Sequence, residues 1–390
     1  MKSSLALYVH WPWCESKCPY CDFNSHASAP DGEAWLDAIL AEMKTEAAGL
    51  GLAGRPLTSI FFGGGTPSLM SPLAAALIIE EASTLFSPTD DIEITLEANP
   101  SSTEIEKFRS LRAAGVNRVS IGVQSFDNDA LAFLGRAHDG EAAERAITAA
   151  SDIFPRFSFD LIYARPGQSE DTWRKELETA LSFGPKHLSL YQLTIEPGTQ
   201  FSKDRVMAAG EDDAVTLYQT TGAIMGAAGL RAYEVSNYAA AGEGARHNLH
   251  VWRGGDYLGI GPGAHGRIFV PGATGTVCFE PGHWEAARRI PDPARWIDAV
   301  TKTKTGMATR EMIDAPARAE EIIMGALRLA EGLDVNVLKT QTSIKFEDRV
   351  SAGALRWLLE DGFLEKDDSH VRTTDKGRLM LNAVTAKLLA

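Results

Sequence analysis

The chain has 390 residues, 44% hydrophobic and 23% charged, a composition that excludes a disordered chain and a disulfide scaffold. Its net charge of −14 argues against a nucleic-acid partner, because neutralising phosphates requires an excess of lysine and arginine. No apolar run approaches the roughly 18 residues of a membrane-spanning helix. The first residues lack the apolar region of a signal peptide, so we expect a cytoplasmic protein without a membrane span.

The first half of the chain alternates β-rich runs with helical patterns. Strands are predicted over 5–10, 57–62, 92–97, 118–123, 157–162 and 187–192, and helices over 35–48, 73–86, 103–114, 140–152 and 170–183. Such a succession of strand–helix units indicates a parallel sheet with right-handed crossovers. Six units fall short of a full barrel, so the pattern predicts an α/β fold with a partial (β/α)6 barrel.

The rest of the chain has a different pattern. A Gly- and Pro-rich stretch at 271–293 is predicted to link a barrel at 1–270 to a C-terminal helical domain at 294–390. Helices over 315–329, 351–360 and 375–389, with a two-stranded wing at 362–365 and 371–374, give this domain a winged-helix-like pattern. Its 15 basic and 16 acidic residues, counted over 291–390, leave no charge excess for DNA, so we expect a cover for the open barrel.

Polar or glycine-rich residues follow the predicted strands. GGGTP at 63–67 follows the second strand, Glu97 ends the third, Gln124 follows the fourth, and Asp160 lies in the fifth. Barrel enzymes build their sites at the C-terminal ends of the strands. We therefore expect a functional site at this edge of the sheet.

Three of the four cysteines, Cys14, Cys18 and Cys21, form a CxxxCxxC segment after the first strand. In a reducing cytosol this clustering indicates metal binding or catalysis. Three thiolates can bind three irons of a [4Fe-4S] cluster and leave the fourth iron open for a substrate or cofactor. A zinc site is the alternative, and it needs a fourth ligand such as His10 or His26.

The CxxxCxxC segment resembles the radical S-adenosylmethionine (SAM) superfamily, and its surroundings resemble the oxygen-independent coproporphyrinogen III oxidase group within it. The segments that carry this resemblance are LYVHWPWC, FFGGGTPS, LEANP, GVQSF, LGRAH, DLIYARPGQ and LSLYQLTIEPG. The tail resembles the C-terminal domain of that group, so nearly the whole chain is covered. The resemblance implies a radical SAM barrel in which the open iron chelates SAM, and an electron from the cluster cleaves SAM to a 5′-deoxyadenosyl radical.

The resemblance also implies site residues. The three cysteines would hold the cluster, and the implied SAM contacts are Tyr8, Tyr20, Gly65, Thr66, Glu97, Gln124, Arg136 and Asp160. Glycines at 63–65 tolerate unusual backbone angles and allow a close approach to a ligand. In the family this loop faces the methionine amino group of SAM, and His265 lies near the adenosine.

Two features favour the HemW branch of heme chaperones within this group. Phe23 stands two residues after the third cysteine, where the oxidases carry a further cysteine. HNLHVW at 247–252 resembles the HNxxYW motif of that branch, with Val251 in place of tyrosine. Imidazole is a standard axial ligand of heme iron, so His247 is the candidate heme ligand and His250 a weaker one. The alternative is that this segment only caps a turn and fills a pocket.

The sequence thus predicts a heme chaperone that binds heme and transfers it to acceptor proteins, for instance respiratory enzymes at the membrane face. The rival functions are decarboxylation of the propionates of coproporphyrinogen III and a zinc-binding module associated with nucleic acid. The sequence leaves open a homodimer, the acceptor and the purpose of SAM cleavage. Arg165, at a position that is usually small or apolar in the family, and Cys278 receive no role.

Overall fold

The computed structural model describes residues 3–28, 31–272 and 282–390. The strands are β1 (Leu5–Trp11), β2 (Pro56–Gly64), β3 (Ser87–Ala98), β4 (Arg118–Gln124), β5 (Arg156–Tyr163), β6 (His187–Gln192), β7 (Arg231–Ala232), β8 (Asn237–Ala239), β9 (Asp256–Ile260), β10 (His265–Val270), β11 (His283–Arg289), β12 (Met307–Ile313), β13 (Leu333–Asp334), β14 (Leu364–Lys366) and β15 (His370–Thr373). The helices are α1 (Gly32–Gly49), α2 (Pro72–Leu85), α3 (Ser102–Ala113), α4 (Asn128–Phe133), α5 (Gly140–Ile153), α6 (Glu170–Ser182), α7 (Gln200–Lys203), α8 (Glu211–Ala227), α9 (Arg246–Trp252), α10 (Pro293–Thr303), α11 (Ala315–Ala326), α12 (Val335–Thr342), α13 (Phe346–Arg349), α14 (Ala352–Glu360), α15 (Asp375–Leu379) and α16 (Leu381–Leu389).

A 12-stranded sheet dominates the fold, in the order β12-β11-β10-β9-β1-β2-β3-β4-β5-β6-β8-β7. The strands from β9 to β6 pair in parallel, and the strands outside them pair antiparallel. β1 to β6 are the six predicted strands, and β9 adds a seventh parallel strand beside β1. The predicted α/β partial barrel is therefore confirmed, with a sheet that extends further at both ends.

Helices cover the parallel strands because each presents an apolar stripe. In α1 the fully buried side chains Trp35, Ile39 and Met43 recur every four residues, as the sequence predicts. Asp31 caps the N-terminus of the helix, and its carboxylate accepts a hydrogen bond from the Ala34 N–H. Burial of each such large side chain contributes about 1.5–3 kcal/mol, so the covered strands form a rigid frame for the site.

The sheet continues beyond the boundary at residue 270 that the sequence predicts. β11 lies within the predicted linker at 271–293, yet it pairs with β10 and β12. Its sequence is too polar to predict a buried strand, but the fully buried Arg289 side chain forms an ion pair with Glu42 at 3.3 Å. Cys278 lies outside the described residues.

The C-terminal region has its own core, which confirms a helical domain with a winged-helix-like pattern. The wing predicted as two strands contains a third, in the order β13-β15-β14. The helix predicted over 375–389 breaks at Met380 into α15 and α16. The break allows Gly377 to pack against the Phe363 carbonyl, while Leu381 and Leu388 reach the core of the domain.

Candidate functional site

Most of the predicted site residues surround one cavity at the C-terminal ends of β1 to β5. This cluster cavity has a volume of about 150 Å³. The predicted residues that line it are Cys14, Cys18, Tyr20, Cys21, Gly65, Thr66, Glu97, Gln124, Arg136 and Asp160. They come from separate strand ends, so the parallel sheet is what brings them together. Their contacts with SAM stay a prediction.

The cysteine loop has a defined shape that its own hydrogen bonds hold. The Cys14 N–H donates to the His26 carbonyl at 3.0 Å, and the Lys17 ammonium donates to the carbonyls of Phe23 and Ser25, each at 3.2 Å. All three thiols are half-buried. Burial raises the pKa of the Cys14 thiol, and the charges of the two other cysteines add to this effect. The loop therefore presents three neighbouring thiols to the cavity.

The positions of the cysteines and histidines can be compared with what a zinc ion and a [4Fe-4S] cluster each require. Among the described residues, no three His, Cys, Asp or Glu side chains lie close enough to share one metal ion. A single tetrahedral zinc needs such closeness, whereas a [4Fe-4S] cluster takes each cysteine on a different iron. Both ring nitrogens of His10 are already used, by Tyr8 and by the Asn24 carbonyl. Three thiols on one loop therefore fit an iron–sulfur cluster.

Arg136 places a fixed positive charge beside this loop. Its Nη1 lies 3.3 Å from the Cys18 Sγ, and its Nη2 donates to the Gly122 carbonyl at 2.7 Å and to the Asn99 side chain. The geometry thus gives Arg136 a contact with the cysteine loop itself.

Two buried carboxyl groups, Glu97 and Asp160, face the cluster cavity. Burial, with the charge of Asp160, raises the pKa of Glu97 to about 8, and burial raises the pKa of Asp160 to about 6. The Gly64 N–H donates to Glu97 at 3.1 Å. Among the described residues the buried Oε1 of Gln124 has no hydrogen-bond partner. A cationic ligand would relieve the repulsion between the two carboxyls and could pair with the Gln124 oxygen, and SAM carries an ammonium and a sulfonium group.

The glycine loop at 63–65 packs closely against the backbone that precedes the cysteine loop. A Cβ on Gly65 would lie 2.5 Å from the Trp13 carbonyl oxygen, and the Gly65 N–H donates to the Trp11 carbonyl at 2.6 Å. The Thr66 N–H donates a hydrogen bond to the Trp13 carbonyl at 2.8 Å. The close approach that the sequence suggests for a ligand is therefore made by the backbone that leads into the cysteine loop. Any side chain at position 65 would displace that backbone.

A second cavity of about 790 Å³ adjoins the first, and we call it the large cavity. Its size is typical of sites for small molecules and cofactors. Phe23, Gly64 and Glu97 line both cavities, so the two spaces share a wall. Phe23 lies at the junction of the two cavities because it lines both of them. It is 61% exposed, which is unusual for a phenylalanine.

His247 and Tyr8 line the large cavity. His247, on α9, is only 7% exposed, and its Nδ1 hydrogen-bonds the Ser59 hydroxyl at 3.0 Å. Burial, with the charge of His250, lowers the pKa of His247 to about 3, so the ring is neutral near pH 7. Its Nε2 has no hydrogen-bond partner in the part of the chain described. Neutral imidazole with one fixed nitrogen is the form that binds metals.

The neighbouring histidines differ from His247. The Nε2 of His250 hydrogen-bonds the Asp256 carbonyl at 2.8 Å, and the ring does not line the large cavity. His265 lines the cavity from β10. Tyr8 lies against His10 and His247, with a ring separation of 6.4 Å from the latter. The geometry therefore favours His247 over His250 and separates Tyr8 from the cluster cavity.

Some residues of the site carry no sequence signal. Arg288 and Arg328 line the large cavity, one from β11 and the other from beyond α11, and no motif marks either. Arg165, which the sequence leaves unexplained, forms a buried ion pair with Glu176 at 2.6 Å. It therefore has a structural role.

Comparisons with known proteins identify the family of this chain. The family model for the radical SAM superfamily matches residues 8–180, and the model for the HemN C-terminal domain matches residues 313–380. The Escherichia coli protein named heme chaperone HemW is 35% identical over 394 residues, which cover 99% of this chain and 98% of that protein. The chain belongs to the HemW family of radical SAM proteins. Membership implies a [4Fe-4S] cluster and SAM.

Other relatives come from distant organisms. HemW of Mycobacterium tuberculosis is 35% identical over 393 residues, covering 98% of this chain and 94% of its own. The mouse protein named radical S-adenosyl methionine domain-containing protein 1, mitochondrial, is 38% identical over 406 residues. These cover 98% of this chain and 87% of the mouse protein. The solved structure of Escherichia coli coproporphyrinogen III oxidase HemN covers all of this chain and 91% of its own, with a TM-score of 0.81 and 22% identity, and so shares the fold. Among the described residues, no helix is long and apolar enough to cross a membrane.

Proposed function

We propose that this HemW-family protein is a heme chaperone, which binds heme in the large cavity and transfers it to acceptor proteins. The observation that carries the proposal is His247, a neutral imidazole at the wall of a cavity of about 790 Å³. The names of the HemW relatives support it. The Ser59 hydroxyl holds the ring so that Nε2 is available to the heme iron.

We propose that the cluster cavity holds the cofactors. Cys14, Cys18 and Cys21 bind the [4Fe-4S] cluster, and Arg136 holds Cys18 through its contact with the sulfur atom. Glu97 and Asp160 attract the positive groups of SAM, and Tyr20, Gly65, Thr66 and Gln124, which line the same cavity, complete its binding site. When bound, the cluster and SAM supply one-electron chemistry.

The shared wall of the two cavities supports a functional connection between them. Phe23 and Glu97 face both cavities, so SAM in one would lie beside heme in the other. A phenylalanine at this position keeps the wall apolar and adds no further cluster ligand. Binding of heme, and not decarboxylation of a porphyrinogen, is the function that this arrangement favours.

The test is a heme titration of anaerobically purified, cluster-reconstituted protein. We expect saturable binding by the wild type and at least tenfold weaker binding by His247→Ala, with equal iron and sulfide content. His250→Ala is the matched control, because that ring is bonded to Asp256 outside the cavity. Equal heme affinity in His247→Ala and wild type would remove the ligand assignment. Catalytic formation of protoporphyrinogen from coproporphyrinogen III, with SAM and dithionite, would replace the chaperone by the oxidase.

We further propose that heme passes in the cytoplasm to respiratory enzymes at the membrane face. Heme-loaded protein mixed with membranes that contain a heme-depleted respiratory enzyme would lose its heme absorbance as the enzyme regains activity. Retention of heme by the chaperone, with free heme restoring the enzyme, would contradict this acceptor. Size-exclusion chromatography of the same samples tests for a homodimer.

A further inference from the structure

Arg288 is an unpaired cation on the wall of the large cavity. It lies on β11 opposite His265 of β10, and its side chain is exposed. Among the described residues, no group hydrogen-bonds or forms an ion pair with its guanidinium. A guanidinium that lines a cavity with all its donors available can bind an anionic group of a ligand.

Arg328 provides a second, partly satisfied guanidinium. Its charged group lies 4.5 Å from the centroid of the Trp252 ring, and its Nη2 lies 3.2 Å from the Glu234 carboxylate. Glu234 also accepts hydrogen bonds from the Ser236 N–H at 2.7 Å and the Asn237 amide at 2.6 Å. The Nε of Arg328 is buried and has no partner within the described chain. Arg328 is therefore held in place at the wall of the large cavity.

The acidic residues of the cavity lie mainly toward the cluster. Glu97 borders the cluster cavity, and Asp22 belongs to the cysteine loop. The third carboxylate, Glu234, is already bonded to Arg328 and to neutral donors. An anionic part of a ligand is therefore attracted toward the two arginines.

We propose that Arg288 and Arg328 bind the propionate carboxylates of heme and orient its polar edge away from the cluster. The inference rests on the proposed function. The planar guanidinium donates two parallel hydrogen bonds that match a carboxylate. Both arginines come from segments outside the six strands that form the cofactor site, so they select the ligand without touching the cluster.

The test compares iron protoporphyrin with its dimethyl ester, which keeps the ring and the iron but lacks both carboxylates. Both are titrated in one detergent buffer. We expect the wild type to bind the acid about tenfold more tightly than the ester. Arg288→Gln and Arg328→Gln should each weaken binding of the acid about three- to tenfold and leave the ester unchanged. Arg253→Gln is the control, because Arg253 is exposed and bonded to Glu331 outside the cavity.

The outcomes separate this inference from the function on which it rests. Equal binding of acid and ester by the wild type would overturn carboxylate recognition and leave heme binding intact. Equal weakening of both ligands in Arg328→Gln, which loses its stacking on Trp252, would assign that residue a packing role. The Arg288 side chain is exposed, so unchanged acid affinity in Arg288→Gln would overturn the role of Arg288 in binding the carboxylates. Failure of the wild type to bind either compound would reject the heme proposal itself.

Discussion

Replacement of Glu97 by glutamine should stabilise the protein and weaken its binding of SAM. The pKa of this carboxyl rises from its usual 4.5 to about 8, because burial and the charge of Asp160 disfavour ionisation. The folded protein therefore binds a proton that the unfolded chain releases between these pH values. The free energy of unfolding must fall as the pH rises through this window. Glutamine does not titrate and can still accept the Gly64 N–H.

The size of this stabilisation follows from the two pKa values of Glu97. At ~1.4 kcal/mol for each tenfold change in proton affinity, a rise from 4.5 to about 8 corresponds to at most about 5 kcal/mol above pH 8. Because the carboxyl faces two open cavities that screen its charge, we expect Glu97→Gln to be more stable than wild type by about 2 kcal/mol at pH 8. The stability difference between Glu97→Gln and the wild type should shrink toward zero near pH 4.5.

The assay is urea unfolding of protein free of SAM, followed by tryptophan fluorescence from pH 5 to pH 9. Glu178→Gln, at an exposed position on α6, is the matched control and should show no such trend. In parallel, the affinity of cluster-reconstituted Glu97→Gln for SAM should fall about tenfold, since a carboxylate facing the ligand is lost. A variant less stable than wild type at pH 8, or a difference independent of pH, would refute the reasoning.

The remaining predictions concern the buried ion pair, the loop packing and the heme ligand. Arg165→Met should cost about 3 kcal/mol of unfolding free energy, since it leaves Glu176 buried without its partner; the double variant with Glu176→Leu should recover most of that loss in urea unfolding. Gly135→Ala places a Cβ 2.5 Å from Pro19 in the cysteine loop, at a φ of 66°, so iron content after reconstitution should fall, and unchanged iron content would contradict it. Because the pKa of His247 is about 3, heme affinity should stay constant from pH 8 to pH 5, and a decline centred near pH 6.5 would contradict a neutral buried ligand.

Local patterns predicted the parts of the site that lie on regular elements. Cys14, Cys18 and Cys21 share one loop, and Glu97 and Asp160 end or occupy strands whose continuous apolar runs mark them as buried. Parallel strands align their C-terminal ends, so a reader of the sequence can expect such residues to meet at one edge. Their common cavity agrees with that expectation.

Other features depend on contacts between distant segments. β11 is polar in sequence, and its place in the main sheet depends on pairing with β10 and β12 and on the ion pairs of its buried Arg289 with Glu42 and Glu46 of α1. Tyr8 follows the strand pattern, yet the pleat and the neighbouring His247 place it in the large cavity. The face to which a strand side chain points and the pairing of distant segments set the positions of β11 and Tyr8. Neither can be predicted from a short stretch of sequence.

The sequence by itself determined the radical SAM barrel, the cysteine loop and the HemW family, because short motifs and apolar periodicity act within a few residues. Only the tertiary structure decided what surrounds the large cavity. Arg288 and Arg328 reach its wall from β11 and from beyond α11, and Trp252 and Glu234 hold Arg328 there. A cavity is formed by the docking of separate elements, so the residues that line it share no spacing along the chain.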